Sequence, residues 1–563
     1  MKAPAPREAP SASWPHTVTR RYLWAAYAVP SIALITIEAA FYTGDWSPWR
    51  WYAGLSWILL SVAVVLSACV TAFFPFFGRR LWTEPHRAWY LVAFFLPPIL
   101  TFINAGGIRF TPVDIEGLKQ LAEGMFLMRH DPSLGVFAIA YGRYMGRQYV
   151  LNCLPSFFFG PSLWAARVGN SRFYLGSYFF FLSALLAYLR KRRISDPLLF
   201  AGYCGIMIAL GQYTLLNARK FEQTMMPIAC TLFFLAALLY FVVKPGPLRF
   251  LWITWAFGFF AGCYTPALGS WVLGLALLIY FIFWRRQRIF IFTVIYGIAC
   301  LCIAVLVMHK VDPGAMSAEF TVGTDEHFTV NDWVLRYLNG VRAAVGTDYC
   351  LISGPQALAI FAAIFLSWRF RELRYAVVCA WAVAIFFLSV ALIGSSFVFP
   401  SRDIQRSMIV IPPLMLGAVF LLIRYISVAP EARAAARIIE FFMKLSMVYM
   451  VFTGISTVFL VRGFFGPPML NDEDEAFAMI DKLVSAHGVK PTKFYLVPPM
   501  DIDLAPGLEY FAPDAKLVLA NPPEGEKIPG VYVFSYLKKA ADRFDDEVAP
   551  SRHPRPFIKM TEE

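Results

Sequence analysis

Two carboxylates, Asp114 and Glu116, stand in the stretch Thr111-Pro112-Val113-Asp114-Ile115-Glu116-Gly117, directly after an apolar segment. A carboxylate within hydrogen-bond reach of a hydroxyl can take its proton as the oxygen attacks, which is general-base chemistry. The same residues also read as a helix start. Thr111 suits the N-cap, Pro112 suits the first helical position, and Asp114 follows three residues after the cap. The two readings coexist, because a cap also fixes an acid in place. Cations form the second group with a chemical use. Arg219, Lys220 and Glu222 bracket a short polar turn, and Arg402 and Arg406 precede Pro412-Pro413. Guanidinium groups match phosphate oxygens in a forked geometry. The plainer alternatives are an Arg219–Glu222 pair at i,i+3 spacing and snorkelling of Arg402 and Arg406 at a bilayer edge. Asp325-Glu326-His327 carries metal-ligating atoms, but adjacent residues converge on one ion only if the chain folds around it, so this reads as a charged loop. Arg143 and Arg147, at helical spacing, suit anionic headgroups.

The elements that must position these residues are hydrophobic. The chain has 563 residues, of which 58% are hydrophobic, 17% aromatic and 15% charged. Its mean hydropathy is +0.57. A soluble domain carries about 25% charged residues. The deficit runs over most of the length, which excludes a soluble enzyme with a single anchor. The net charge of +13 does not point to nucleic acid. The basic residues form short clusters between apolar stretches, as orientation in a bilayer requires. Seven of the nine cysteines lie inside apolar segments, and only Cys153 and Cys350 fall elsewhere. The first twenty residues are polar and Pro-rich, so no cleavable signal is expected.

A spanning helix needs about 20 mostly apolar residues. That ruler gives spans at 22–42, 52–76, 88–104, 171–190, 197–215, 224–243, 250–264, 267–284, 288–308, 356–370, 375–397, 407–426 and 438–462. The pair at 250–284 also reads as one helix kinked at Thr265-Pro266. With the N-terminus inside, every second loop is basic: Arg20/Arg21, Arg79/Arg80/Arg87, Arg190 to Arg193, Lys244/Arg249, Arg285/Arg286/Arg288, Arg369/Arg371/Arg374 and Arg424/Arg433/Arg437. The C-terminus is then outside. Long outer segments are expected at 105–170, 309–355 and 463–563. In the tail, 472–487 has helical periodicity, and Lys493 to Val497, Lys516 to Leu519 and Gly530 to Phe534 read as short strands. The expected fold is therefore an all-α polytopic membrane protein of about thirteen transmembrane helices, with a small C-terminal α/β extracytoplasmic domain. Residues 1–87 hold a polar tail and the first two spans, 88–462 the main helical domain, and 463–563 the α/β domain.

Several stretches resemble the GT-C membrane glycosyltransferases, in the branch of the protein mannosyltransferases and the lipid A aminoarabinose transferases. Asp114-Ile115-Glu116-Gly117-Leu118-Lys119-Gln120-Leu121-Ala122-Glu123-Gly124-Met125 is similar to the acidic motif of that family's first loop, with Ala122 and Met125 in register. Phe159-Gly160-Pro161-Ser162-Leu163-Trp164-Ala165-Ala166-Arg167-Val168-Gly169 is similar to a later stretch of the branch. Pro400-Ser401-Arg402-Asp403-Ile404-Gln405-Arg406 resembles the approach to a late span. The chain departs from the pattern in three ways. Ile115 separates the two acids, the His-Pro-Pro before the interfacial helix is absent, and two extra spans come first. The resemblance implies a transferase in the plasma membrane that moves a sugar from a polyprenyl-phosphate carrier to an outer acceptor, with inversion. Asp114 would be the base, and Glu116 would orient the acceptor or hold a divalent metal ion, the one cofactor left open. Arg219, Lys220, Glu222, Arg402 and Arg406 would meet the lipid phosphate and substrate. The implied partners are the donor lipid, membrane lipids and an unidentified glycan, lipid or protein acceptor. A polytopic transporter or flippase would instead place ionisable residues at mid-membrane. A polysaccharide ligase or polymerase would centre on the loop at 309–355.

Overall fold

The computed structural model describes residues 47–103, 154–219, 225–261, 267–311 and 430–459 apart from a few positions, short strands near 140 and beyond 492, and isolated positions elsewhere. The spans expected at 356–370, 375–397 and 407–426, most of 22–42, and the helix at 472–487 lie outside the described residues. So do Cys153 and Cys350.

The helices are Ser47–Ala72 (α1), Phe74–Phe77 (α2), Arg79–Thr83 (α3), Arg87–Phe102 (α4), Leu163–Lys191 (α5), Pro197–Ala209 (α6), Gln212–Arg219 (α7), Met225–Val243 (α8), Pro247–Ala261 (α9), Ala267–Phe283 (α10), Phe290–Val311 (α11) and Pro430–Phe459 (α12). Among the described residues three stretches, Ile58–Phe77, Trp164–Lys191 and Glu440–Val458, are long and apolar enough to cross a membrane. Shorter apolar helices occupy the other described positions where hydropathy placed spans. The protein is a mostly helical, polytopic membrane protein.

One open choice is settled as the span list had it, and two expectations change. First, 250–284 is two helices. A Cβ at Gly274 in α10 would stand 3.2 Å from the Phe257 ring in α9. At a rise of about 1.5 Å per residue, a single kinked helix would hold these positions far apart. Second, the span at 197–215 breaks: α6 ends at Ala209, and α7 begins at Gln212 after Leu210-Gly211. All 13 residues of α6 are buried, which is the signature of a helix apolar on every side and enclosed by protein rather than lipid. Third, α5 begins at Leu163, well before the expected 171. The stretch that resembles the family is thus helical from Leu163, and Ala165, Ala166 and Arg167 are buried within it.

The core is aromatic and tied by a few polar contacts, as association between apolar helices in lipid demands. The Trp252 and Trp255 indoles of α9 donate to Ser67 and Ser61 of α1 at 2.8 and 3.1 Å. Thr254 and Thr293 join α9 to α11 at 3.0 Å. Ser183 meets the Tyr240 hydroxyl at 2.5 Å between α5 and α8. Inside α4, Pro97 has no N–H, which leaves the Ala93 carbonyl without its helical partner. The Tyr178 hydroxyl of α5 donates to that carbonyl at 2.6 Å. Such an internal replacement is what a bilayer requires of every backbone group.

The helices alternate in direction, and their contacts give the two ends of the bundle. At one end Arg190 of α5 bonds Glu84, Lys191 bonds the Val242 carbonyl of α8 at 2.9 Å, and Phe241, Phe250 and Phe290 pack together. The turns carrying Arg79/Arg80/Arg87, Arg190 to Arg193, Lys244/Arg249 and Arg285/Arg286/Arg288 therefore gather there. The direction of α12 follows from its far half. A Cβ at Gly454 would stand 3.3 Å from Leu210 and 3.6 Å from Leu100, both at the opposite end.

Beyond the bundle, Lys493–Leu496 (β3), Lys516–Val518 (β4), Val531–Ser535 (β5) and Phe557–Met560 (β6) form one sheet in the order β4-β3-β5-β6. β3 pairs in parallel with β4 and β5, and β6 is antiparallel to β5. The expected strands of the tail occur, and β6 is an addition. Ala140–Tyr141 (β1) and Tyr144–Met145 (β2) pair antiparallel. Arg143 and Arg147 lie outside the described residues.

Candidate functional site

The end of the bundle opposite the basic turns brings together the last turn of α4, the first turns of α5 and the end of α7. The last carbonyls of any α-helix have no partner within it. Here Arg219, the final residue of α7, supplies one. Its guanidinium donates to the Leu100 carbonyl and, through Nη2 at 2.9 Å, to the Ile103 carbonyl. Arg219 is only 7% exposed. Arg167 of α5 is its charged neighbour and is 1% exposed. Burial first, and then the Arg167 guanidinium, push the Arg219 pKa below the ordinary arginine value. The group still carries its charge, since arginine does not deprotonate in proteins. Ser171, one turn beyond Arg167, bonds the carbonyls of Arg167 and Ala218, the latter at 2.9 Å, and so ties α5 to α7. Two residues before Arg219, the Asn217 Nδ2 is buried and has no hydrogen-bond partner among the described residues.

The arrangement ties the C-terminal end of α4 to α7. The chain leaves that end at Ile103 toward the stretch that carries Asp114 and Glu116. Asp114, Glu116, Lys220, Glu222, Arg402 and Arg406 lie outside the described residues, so of the predicted set the structure places Arg219 alone. It uses two of Arg219's five N–H donors on backbone carbonyls, a role that neither sequence reading of this residue contains. Arg167 was part of a recognised stretch but was not singled out. A cation inside an otherwise apolar helical start was the available signal. Among the described residues, no three His, Cys, Asp or Glu side chains cluster to hold a metal ion. The buried charged side chains described are Arg167, Asp196 and Arg219, each near a helix end and none at mid-bundle.

Fold and site together define a polytopic helical membrane protein with a buried cationic cluster at one end. No protein-family model and no curated protein matches the sequence. Among solved structures the chain is similar to the crystal structure of ArnT from Cupriavidus metallidurans bound to undecaprenyl phosphate, at a TM-score of 0.49. It is also similar to the same protein in its apo state, at 0.43. Each is 13% identical, and the likeness covers 84% of this chain and 97% of that one.

Proposed function

We propose that the protein transfers a sugar from a polyprenyl-phosphate carrier to an acceptor hydroxyl or amine on the outer face of the plasma membrane. Asp114 takes the acceptor's proton. The acceptor attacks the anomeric carbon from the face opposite the phosphate, the bond from that carbon to the phosphate oxygen breaks, and the electron pair leaves with the lipid phosphate. The product is inverted at the anomeric carbon. The departing phosphate gains charge where preformed cations are most effective. Lys220, Arg402 and Arg406 are the candidates, joined by whatever donors Arg219 does not spend on α4. Glu116 orients the acceptor or holds a divalent ion, Glu222 lies beside the phosphate-binding cations, and the tail from 463 onward shapes the acceptor side.

The observation that carries this reading is the pinned exit of α4. The acid motif follows directly, in sequence, on a helix end that Arg219 fixes at the face opposite the basic turns. A transporter would place its working charges at mid-membrane. The described buried charges stand at helix ends instead. The test is turnover of the purified protein with a polyprenyl-phosphate sugar against a soluble nucleotide sugar. Transfer is expected with the lipid-linked donor only. Turnover with the nucleotide sugar in the absence of lipid overturns the proposal.

A further inference from the structure

The other end of the bundle takes no part in that chemistry, yet it is built around charge. Its described acids are already engaged. Glu84 pairs with Arg190 at 3.0 Å, Glu440 pairs with Lys444 at 2.9 Å, and Asp196 stands 3.8 Å from His86. None of them neutralises Arg79, Arg80, Arg193 or Arg286, which are all exposed. Exposed aromatic rings share their turns: Trp82 is 48% and Trp284 78% exposed. A short elbow, α2 and α3, presents Arg79, Arg80 and Trp82 between the spans α1 and α4. Rings beside cations are the composition of a membrane–water boundary.

Two of these arginines stand where glycine would be the easier residue. Helix α5 closes in a Schellman motif: Ile194 N–H bonds the Leu189 carbonyl at 3.1 Å, and Arg193 N–H bonds the Arg190 carbonyl at 3.0 Å. The residue in the left-handed position is Arg193, at φ 56°. After α10, Arg286 takes the same region at φ 52°. A Cβ is disfavoured there, and glycine is the usual occupant. A strained residue that persists at a boundary points to a use for its side chain.

We propose that this end of the bundle is a binding surface for the anionic headgroups of phospholipids in the leaflet it meets, with Arg193 and Arg286 as headgroup ligands. The inference needs only the multi-pass fold and does not rest on sugar transfer. It differs from the topological use of positive loops. That use ends once the helices are inserted, whereas a binding surface retains lipid in the folded protein.

The test takes the whole chain, purified in neutral detergent and reconstituted into nanodiscs of phosphatidylcholine with or without phosphatidylglycerol. Native mass spectrometry counts the lipids retained after release. The wild type is expected to keep phosphatidylglycerol in preference to phosphatidylcholine. The variant Arg193→Gly/Arg286→Gly relaxes both left-handed turns, so in neutral detergent its unfolding temperature stays level or rises. Its preference for phosphatidylglycerol falls about fivefold per lost arginine. A second variant, Arg79→Gln/Arg80→Gln, reads the same surface at helical positions and decides the matter if the glycine variant does not fold. A wild type without preference, or variants that keep it undiminished, overturns the proposal.

Discussion

Asp114 can be a base, a cap or both, and one substitution separates these roles. Asp114→Asn is expected to remove nearly all turnover while the protein still folds, since losing a general base costs about 10²–10⁴-fold. Losing a cap alone costs about 1 kcal/mol of stability and leaves turnover in the protein that survives. Turnover and thermal unfolding measured on the same sample distinguish the two. Glu116→Gln is expected to lose less, and the reverse ranking would make Glu116 the base. Arg219 has a structural duty that is already visible. Arg219→Met strips two α4 carbonyls of a charged donor, and hydrogen bonds to charged groups contribute about 1.5–3 kcal/mol each. A lowered unfolding temperature is expected, with partial recovery in Arg219→Lys. Sequence reasoning saw the charge of Arg219 but not its partners. The nearest acid in sequence, Glu222, suggested a local pair, whereas Leu100 and Ile103 are 119 and 116 residues away. No local spacing rule reaches across such a separation.

At the scale of elements, what was legible follows the reach of each signal. Hydropathy located α4, α8, α9, α10 and α11, because a lipid-exposed or buried apolar run has to be long. It misjudged α6 and α7. The stretch from Pro197 to Leu215 carries no charge, and Leu210-Gly211 interrupts its helix without a charged residue to mark the break. It also placed the start of α5 too late, because Arg167 lowers the local hydropathy although the residue is buried. Strand patterning found β3, β4 and β5, whereas β6 falls in a charged terminal segment where alternation is hard to read. The α4–α5 contact yields a prediction about elements rather than single side chains. Tyr178→Phe leaves the Ala93 carbonyl without a donor and should cost about 1 kcal/mol in thermal unfolding. Pro97→Ala restores the backbone N–H that Tyr178 replaces. In the double variant the Tyr178→Phe cost should shrink toward zero, and that coupling is what a double-mutant cycle measures. Additive costs would mean that Tyr178 does not substitute for the missing N–H.

For the whole molecule, the decisive quantity is which way each end faces. The basic turns after α3, α5, α8 and α10 share one end, and positively charged short loops face the cytoplasm. The direction of the last described helix gives the end of the bundle from which the tail departs. α12 starts at the basic end, where Arg437 and Lys444 sit toward its beginning, and its Gly454 lies against Leu100 and Leu210 at the other. The chain therefore leaves α12 on the side opposite the basic turns, the side on which the Arg219 clamp and the exit toward Asp114 also stand. A reporter active only in the cytoplasm should work when inserted at 191–195 or at 285–289. It should be silent when inserted at 262–266 between α9 and α10, or when fused after residue 563. The insertion at 262–266 is the sharpest arm. The two-helix reading of 250–284 puts it outside, and a single kinked helix would bury it in the membrane. A cytoplasmic signal from the fusion after 563 together with a silent 191–195 would invert the molecule. The acids would then face a compartment rich in nucleotide sugars, and the proposed donor would fall with the topology.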